Sequence, residues 1–219
     1  MRTRTLTVAG VGARRFSCAS AKRINLNADL AEGYGPWTMT ADEDLLQIVT
    51  TANIACGGHA GDANIMAAVL ERAAAHGVSV GAHPGYDDKP GFGRRVLKME
   101  LDEIEHLIAY QVGALLGVAA LVRARRAAGG GAAAEVTHVK PHGALNNVAC
   151  VDASVAAAIT RGVAGVDRSL IMLAPVRVVL ASMAIVIAIV ASVGPSLILL
   201  APAGRAFDLG DFRRGLRTP

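Results

Sequence analysis

The sequence predicts an α/β protein of repeated βα units with parallel strands, closed as a barrel or open as a doubly wound sheet. Three observations predict it. From Ile24 onward, short apolar or β-branched runs alternate with segments of helical periodicity. Four of the loops that follow such runs are bounded by glycine or proline and carry a polar residue: INLNADLAEGYGPW with Asp29, ANIACGGHAGD with His59, VSVGAHPGY with His83 and THVKPHGAL with His142. Finally, 219 residues at 53% hydrophobic and 18% charged suffice for one full core. Because βα units gather distant side chains at one end of a sheet, the four loops form a candidate catalytic mouth.

Taken in order, Ile24–Ala28, Thr51–Ala55, Val78–Ala82 and Val136–Val139 read as short buried strands closed by turns. A helix is predicted after Asp62, its N-cap, with Ile65, Met66, Val69, Leu70 and Ala73 inside and Gly77 as its stop. A longer helix starts near Leu101 and places Ile104, Leu107, Ile108, Gln111, Leu115 and Val118 at helical spacing. The alanine- and glycine-rich stretch from Ala127 to Ala134 reads as a surface linker.

The net charge of +4 comes largely from arginines at the two ends and from Arg123, Arg125 and Arg126. These form no contiguous basic stripe, so no nucleic-acid partner is expected. Cys18, Cys56 and Cys150 are too few and too scattered for a disulfide framework or a zinc knuckle, which suits a reducing, cytoplasmic setting. Cys56 beside the His59 loop reads as a small core residue rather than a nucleophile. Residues 1–23 contain arginine and serine but no acid, and read as a disordered extension, with a transit-like presequence as the alternative.

The candidate chemistry rests on a few side chains. Asn25, Asn27 and Asp29 crowd polar groups around one strand, which is costly unless they pair or face a site. Gly57, Gly58 and Gly61 around His59 let backbone amides converge on an anionic or carbonyl oxygen. Pro84 after His83 and Pro141 before His142 stiffen the chain where a side chain must be aimed. Alternation puts Lys140 on the side of His142, where it can polarise a carbonyl or hold a carboxylate. His76, His106 and His138 lack such settings and read as structural.

NADLAEGYGPW, TANIACGGHAGD, GAHPGYDDKPGFGRR, YQVGAL and VKPHGAL, in this order over Ile24 to about Val151, together resemble the LamB/YcsF family. The resemblance implies a (β/α) barrel of the glycoside hydrolase/deacetylase type with fewer than eight regular strands. It implies opening of the lactam of 5-oxo-L-proline to L-glutamate at the expense of ATP, together with oxoprolinase subunits B and C. Catalytic roles then fall to Asp29, His59, His83, Lys140 and His142, and substrate contacts to Asn27, Asn53, Gly57, Gly58 and Tyr86. No phosphate-binding loop of the G-x-x-x-x-G-K-[ST] type is present, so ATP handling is expected mainly of the partner subunits. A divalent metal held by Asp29, His59, His83 and His142 is the competing version, which makes the chain a metal-dependent amide hydrolase or deacetylase.

Two local departures stand out. Ala31 replaces a glycine of the family pattern, and Asn146 a tyrosine. Near Val176 the resemblance to the family's final units stops being legible. Instead Ala184–Pro202 repeats Ala157–Pro175 at an offset of 27, with Thr160, Arg161, Asp167 and Arg168 replaced by Ile187, Ala188, Gly194 and Pro195. No formal charge lies between Arg177 and Arg205, long enough for a bilayer span, although Gly194 and Pro195 interrupt it and no membrane is expected. The expected organisation is an extension over 1–23, a catalytic barrel over 24–175, and an altered apolar end over 176–219. That altered end makes a truncated, inactive relative the third reading.

Overall fold

The structure is a computed structural model that describes residues 25–175 and two further strands, Leu197–Leu200 and Ala206–Asp208, as backbone. The expected extension 1–23, Cys18, and the apolar segment with its bilayer-length alternative, apart from those two strands, lie outside the described residues.

Five parallel strands follow one another in chain order: β1 (Asn27–Leu30), β2 (Thr51–Ala55), β3 (Ser79–His83), β4 (Val136–Val139) and β5 (Ile171–Pro175). The connections carry α1 (Asp42–Leu46), α2 (Ala63–His76), α3 (Leu101–Ala128), α4 (Gly143–Ala149) and α5 (Ala153–Val166). A sixth strand, β6 (Leu197–Leu200), pairs in parallel with β5, and β7 (Ala206–Asp208) returns antiparallel. Among the described residues β1 and β7 are the edges of the sheet. β6 comes from the second copy of the internal repeat and pairs directly with β5, the strand of the first.

The first strand differs from its expected span. It starts at Asn27 and carries Asp29 inside it, because the ladder to β2 runs from Asn27 opposite Thr51 to Leu30 opposite Ile54. Likewise β3 extends to His83, opposite Ala55, so this histidine is the last residue of its strand.

The predicted caps are in place. The Asp62 carboxylate accepts from the amides of Asn64 and Ile65, both at 2.9 Å, and Gly77 ends α2 with φ 67°. Met66, Val69, Leu70 and Ala73 bury the inner face of α2, while Ile65 is half-buried. A capping box between Glu100 and Glu103 starts α3. The buried stripe of α3 is Ile104, Ile108, Gln111, Val112, Leu115, Ala119 and Val122; Leu107 and Val118 are only half-buried. Among the described residues α3 is the one helix long and apolar enough to cross a membrane, yet this stripe packs on β3, β4 and, most extensively, α5. At Gly162 the two helices come so close that a Cβ would lie 2.6 Å from the Glu105 carbonyl oxygen.

Candidate active site

The four polar loops meet at the C-terminal ends of β1 to β4. Ala31 leaves β1 with φ 60°, a left-handed turn that brings the next residue, Glu32, inward to a buried position, 8% exposed. After β2, Gly61 (φ 80°) fits where a Cβ would lie 2.9 Å from the carbonyl oxygens of Ala31 and Ala55. That contact presses the His59 loop against the β1 loop. After β3, Gln111 of α3 grips Gly85 at both ends: its Oε1 accepts from the Gly85 amide at 3.1 Å and its Nε2 donates to the Gly85 carbonyl at 2.7 Å. Further along that loop, the paired Asp88 and Arg95 side chains brace Phe92 and Gly93 against the histidines.

Three imidazoles and one carboxylate converge there. Glu32 Oε1 lies 3.3 Å from His59 Nε2, 3.7 Å from His142 Nδ1 and 4.0 Å from His83 Nε2. One candidate ligand atom from each of Glu32, His59, His83 and His142 falls within 4.8 Å of all the others. The expected quartet is therefore corrected at one member, because the carboxylate is Glu32 and not Asp29. Glu32 stands inside the motif NADLAEG, but no local pattern marks the turn at Ala31 that aims it.

Hydrogen bonding assigns two of the rings. A backbone carbonyl only accepts, so His83 Nδ1 donates to the Lys140 carbonyl at 2.5 Å and His142 Nε2 donates to the Phe92 carbonyl at 2.9 Å. In the neutral rings the lone pairs of His83 Nε2 and His142 Nδ1 then face each other at 3.0 Å. The third ring, His59, stacks on His142 with centroids 3.6 Å apart, and its buried Nδ1 has no hydrogen-bond partner. Burial pushes His83 down to about 3, against the pull of Asp29, and also holds His142 below the usual imidazole range. A cluster of neutral nitrogens with a carboxylate is a donor set that fits a divalent cation.

Asp29 belongs to an outer, half-exposed pair. Its Oδ1 accepts from Lys140 Nζ at 2.6 Å and from Asn53 Nδ2 at 2.7 Å, while Oδ2 lies 3.5 Å from His83 Nε2. Burial pushes this carboxyl upward, but His83, Lys140 and the two hydrogen bonds outweigh it and hold it below the usual carboxylate range. Asn27 and Asn53 bond to each other, with Asn53 Nδ2 donating to Asn27 Oδ1 at 2.5 Å and Asn27 Nδ2 donating to Asn53 Oδ1 at 3.2 Å.

Other candidates sit differently from expectation. The Gly57 amide donates to the Ala60 carbonyl at 2.8 Å inside its own turn, and so is not free for a developing negative charge. Gly58 lies against Gln111, where a Cβ would be 2.5 Å from Oε1. Tyr86 is buried, 1% exposed, in the core rather than open to the mouth. Burial pushes the Cys56 thiol up to about 12, in keeping with a core residue. Asn146 borders an apolar hollow between α4, α5 and β5, away from the histidines.

Fold and site define a parallel α/β protein with a histidine and carboxylate centre at the C-terminal ends of its strands. The chain belongs to the LamB/YcsF family, whose sequence model matches residues 24–192. It is 54% identical over 153 residues to the 5-oxoprolinase A component of Azoarcus sp. (strain BH72), covering 70% of this chain and 56% of that protein. It is 50% identical over 155 residues to the 5-oxoprolinase A component of Methylococcus capsulatus, covering 71% and 56%. A crystal structure of a lactam utilization protein from Thermus thermophilus superposes with a TM-score of 0.62 at 38% identity, covering 69% of this chain and 57% of that one. The chain thus spans about half the length of the curated relatives it matches.

Proposed function

We propose that this chain acts as the A component of an ATP-dependent 5-oxoprolinase, opening the lactam of 5-oxo-L-proline to L-glutamate in the cytoplasm. The observation that carries this reading is the Lys140–Asp29 pair at 2.6 Å, set at the rim of a buried histidine cluster. Ring opening breaks the lactam C–N bond, adds the hydroxyl of water to the carbonyl carbon and its proton to the nitrogen. Asp29, held ionised and half-exposed, suits the base that takes the proton from water. Lys140 faces the same space and suits the charge that develops on the carbonyl oxygen. ATP and the partner subunits B and C come with this reading, because the relatives are named as one component of a larger oxoprolinase. Residues 24–175 then serve as the catalytic part of a (β/α) barrel.

Reconstitution with subunits B and C, ATP and 5-oxoproline tests the reading. Asp29→Asn should cut glutamate formation by about a hundredfold or more while the fold stays intact. Unchanged turnover would remove Asp29 from the reaction.

A second reading, a metal-dependent amide hydrolase of the deacetylase kind, draws on the facing lone pairs of His83 and His142. Glu32, His59, His83 and His142 would hold the cation. When bound, it would supply Lewis-acid polarisation of a substrate carbonyl. Zinc titrated into chelator-treated protein should bind at one equivalent and raise the melting temperature. Binding that survives intact in a combined His83→Ala, His142→Ala variant would sink this reading.

A further inference from the structure

The buried histidine that the reaction leaves unused is His138, in the middle of β4 and 3% exposed. Strand register explains how it reaches the site. One row crosses the sheet from Asp29 in β1 to Asn53 in β2, Gly81 in β3 and His138 in β4. Gly81 has no side chain, and the space above it is taken by the His138 ring, with which a Cβ at this position would collide. His138 therefore passes over β3 and meets Asn53, placing Nε2 2.9 Å from Asn53 Oδ1.

The direction of every bond in this row follows from one fact, that an ionised carboxylate only accepts. Asp29 Oδ1 must receive a hydrogen from Asn53, so the NH2 end of that amide faces Asp29. The oxygen end then faces His138 and Asn27, and as an acceptor it requires the proton to sit on His138 Nε2. In a neutral ring Nδ1 is left as an acceptor, and the Thr137 hydroxyl at 3.0 Å donates to it. Asn53, fully buried, thus has both amide hydrogens and both oxygen lone pairs engaged. If the amide turned over, its oxygen would be set against the Asp29 carboxylate and its NH2 against the His138 N–H.

We infer that His138 is a positioning residue for Asp29, locking the Asn53 amide in the orientation that donates to that carboxylate. The inference rests on the proposed role of Asp29 in lactam opening. Two measurements test it on the full chain and its complex with subunits B and C. Nitrogen-15 NMR of histidine-labelled protein at neutral pH should show His138 as the neutral tautomer protonated at Nε2; the Nδ1-protonated form, or a charged ring, overturns the proposal. In the complex, His138→Leu should lower kcat about tenfold with little change in KM, the size typical of losing a residue that orients a reacting group. His138→Gln, which restores a donor, should recover most of that loss. Gly81→Ala, which displaces the ring without touching Asn53, should resemble His138→Leu. Equal turnover in the leucine, glutamine and parent proteins overturns the proposal even if the leucine variant melts lower. Failure of the underlying reading is separable: full activity of Asp29→Asn removes the catalytic role, whereas the His138 tautomer is read without any turnover.

Discussion

Ala31 and Phe92 are the two described non-glycine residues with positive φ, 60° and 53°, and both adjoin the histidine centre. Ala31 turns the chain so that Glu32 enters the cluster, and the Phe92 carbonyl holds His142 in its tautomer. Strain gathered beside a site is expected where surrounding structure over-determines the backbone. The family pattern has glycine in place of Ala31, and the positive φ supplies the reason. Glycine should release roughly 1–2 kcal/mol of left-handed strain and lose about 0.4–1 kcal/mol of that through the freer unfolded chain. Ala31→Gly is therefore expected to raise the unfolding free energy by about 1 kcal/mol in a urea titration. A lower midpoint at unchanged slope would mean that burial of the methyl group outweighs the strain.

At the scale of elements, α3 does more than cover the sheet. Its periodicity places Gln111 on the inner face among aliphatic residues, which by itself reads as an odd core position. The structure accounts for it, because Gln111 satisfies both backbone groups of Gly85 in the loop that follows His83. Replacing it with leucine keeps the volume but leaves a buried N–H and a buried C=O without partners. Each such group costs about 1–3 kcal/mol. Gln111→Leu should therefore lower stability by roughly 2–4 kcal/mol in denaturant titration. It should also broaden the His59 and His142 ring signals in NMR, since Gly85 packs against both. A variant as stable as the parent would show that the loop finds other partners.

For the molecule as a whole, the polar centre makes stability depend on pH in a defined direction. Burial depresses His138 to about 4 and His83 to about 3, against 6.5 for a free imidazole. The unfolded chain takes up protons first as pH falls below 6.5, so the contribution is complete above that value and is lost towards the folded values. His138 alone should remove about 3 kcal/mol of stability between about pH 7 and about pH 4 in the metal-free chain. Asp29 and Asp88, both held low, add a further loss with the same sign below about pH 4. Equilibrium unfolding of the metal-free protein across this range measures the slope, and a flat profile would show that the buried rings are not neutral. Zinc should flatten the same slope if the cluster binds it.

Much of the architecture is legible locally. Asp62 and Gly77 mark the ends of α2, Thr51–Ala55 and Val136–Val139 match β2 and β4 residue for residue, and the loops carrying His59, His83 and His142 do converge. These features follow from caps, turns and side-chain period, which are properties of neighbouring residues. What only the tertiary structure decided is which carboxylate joins the histidines, and what His138 touches. Glu32 displaces Asp29 because of one left-handed residue, and His138 reaches Asn53 because Gly81 lies between them in the register of three parallel strands. The sequence by itself determined which side chains could supply the chemistry and at which end of the sheet. Their pairing depended on cross-strand register, which sets distances between residues far apart in the chain and leaves no periodic trace in it.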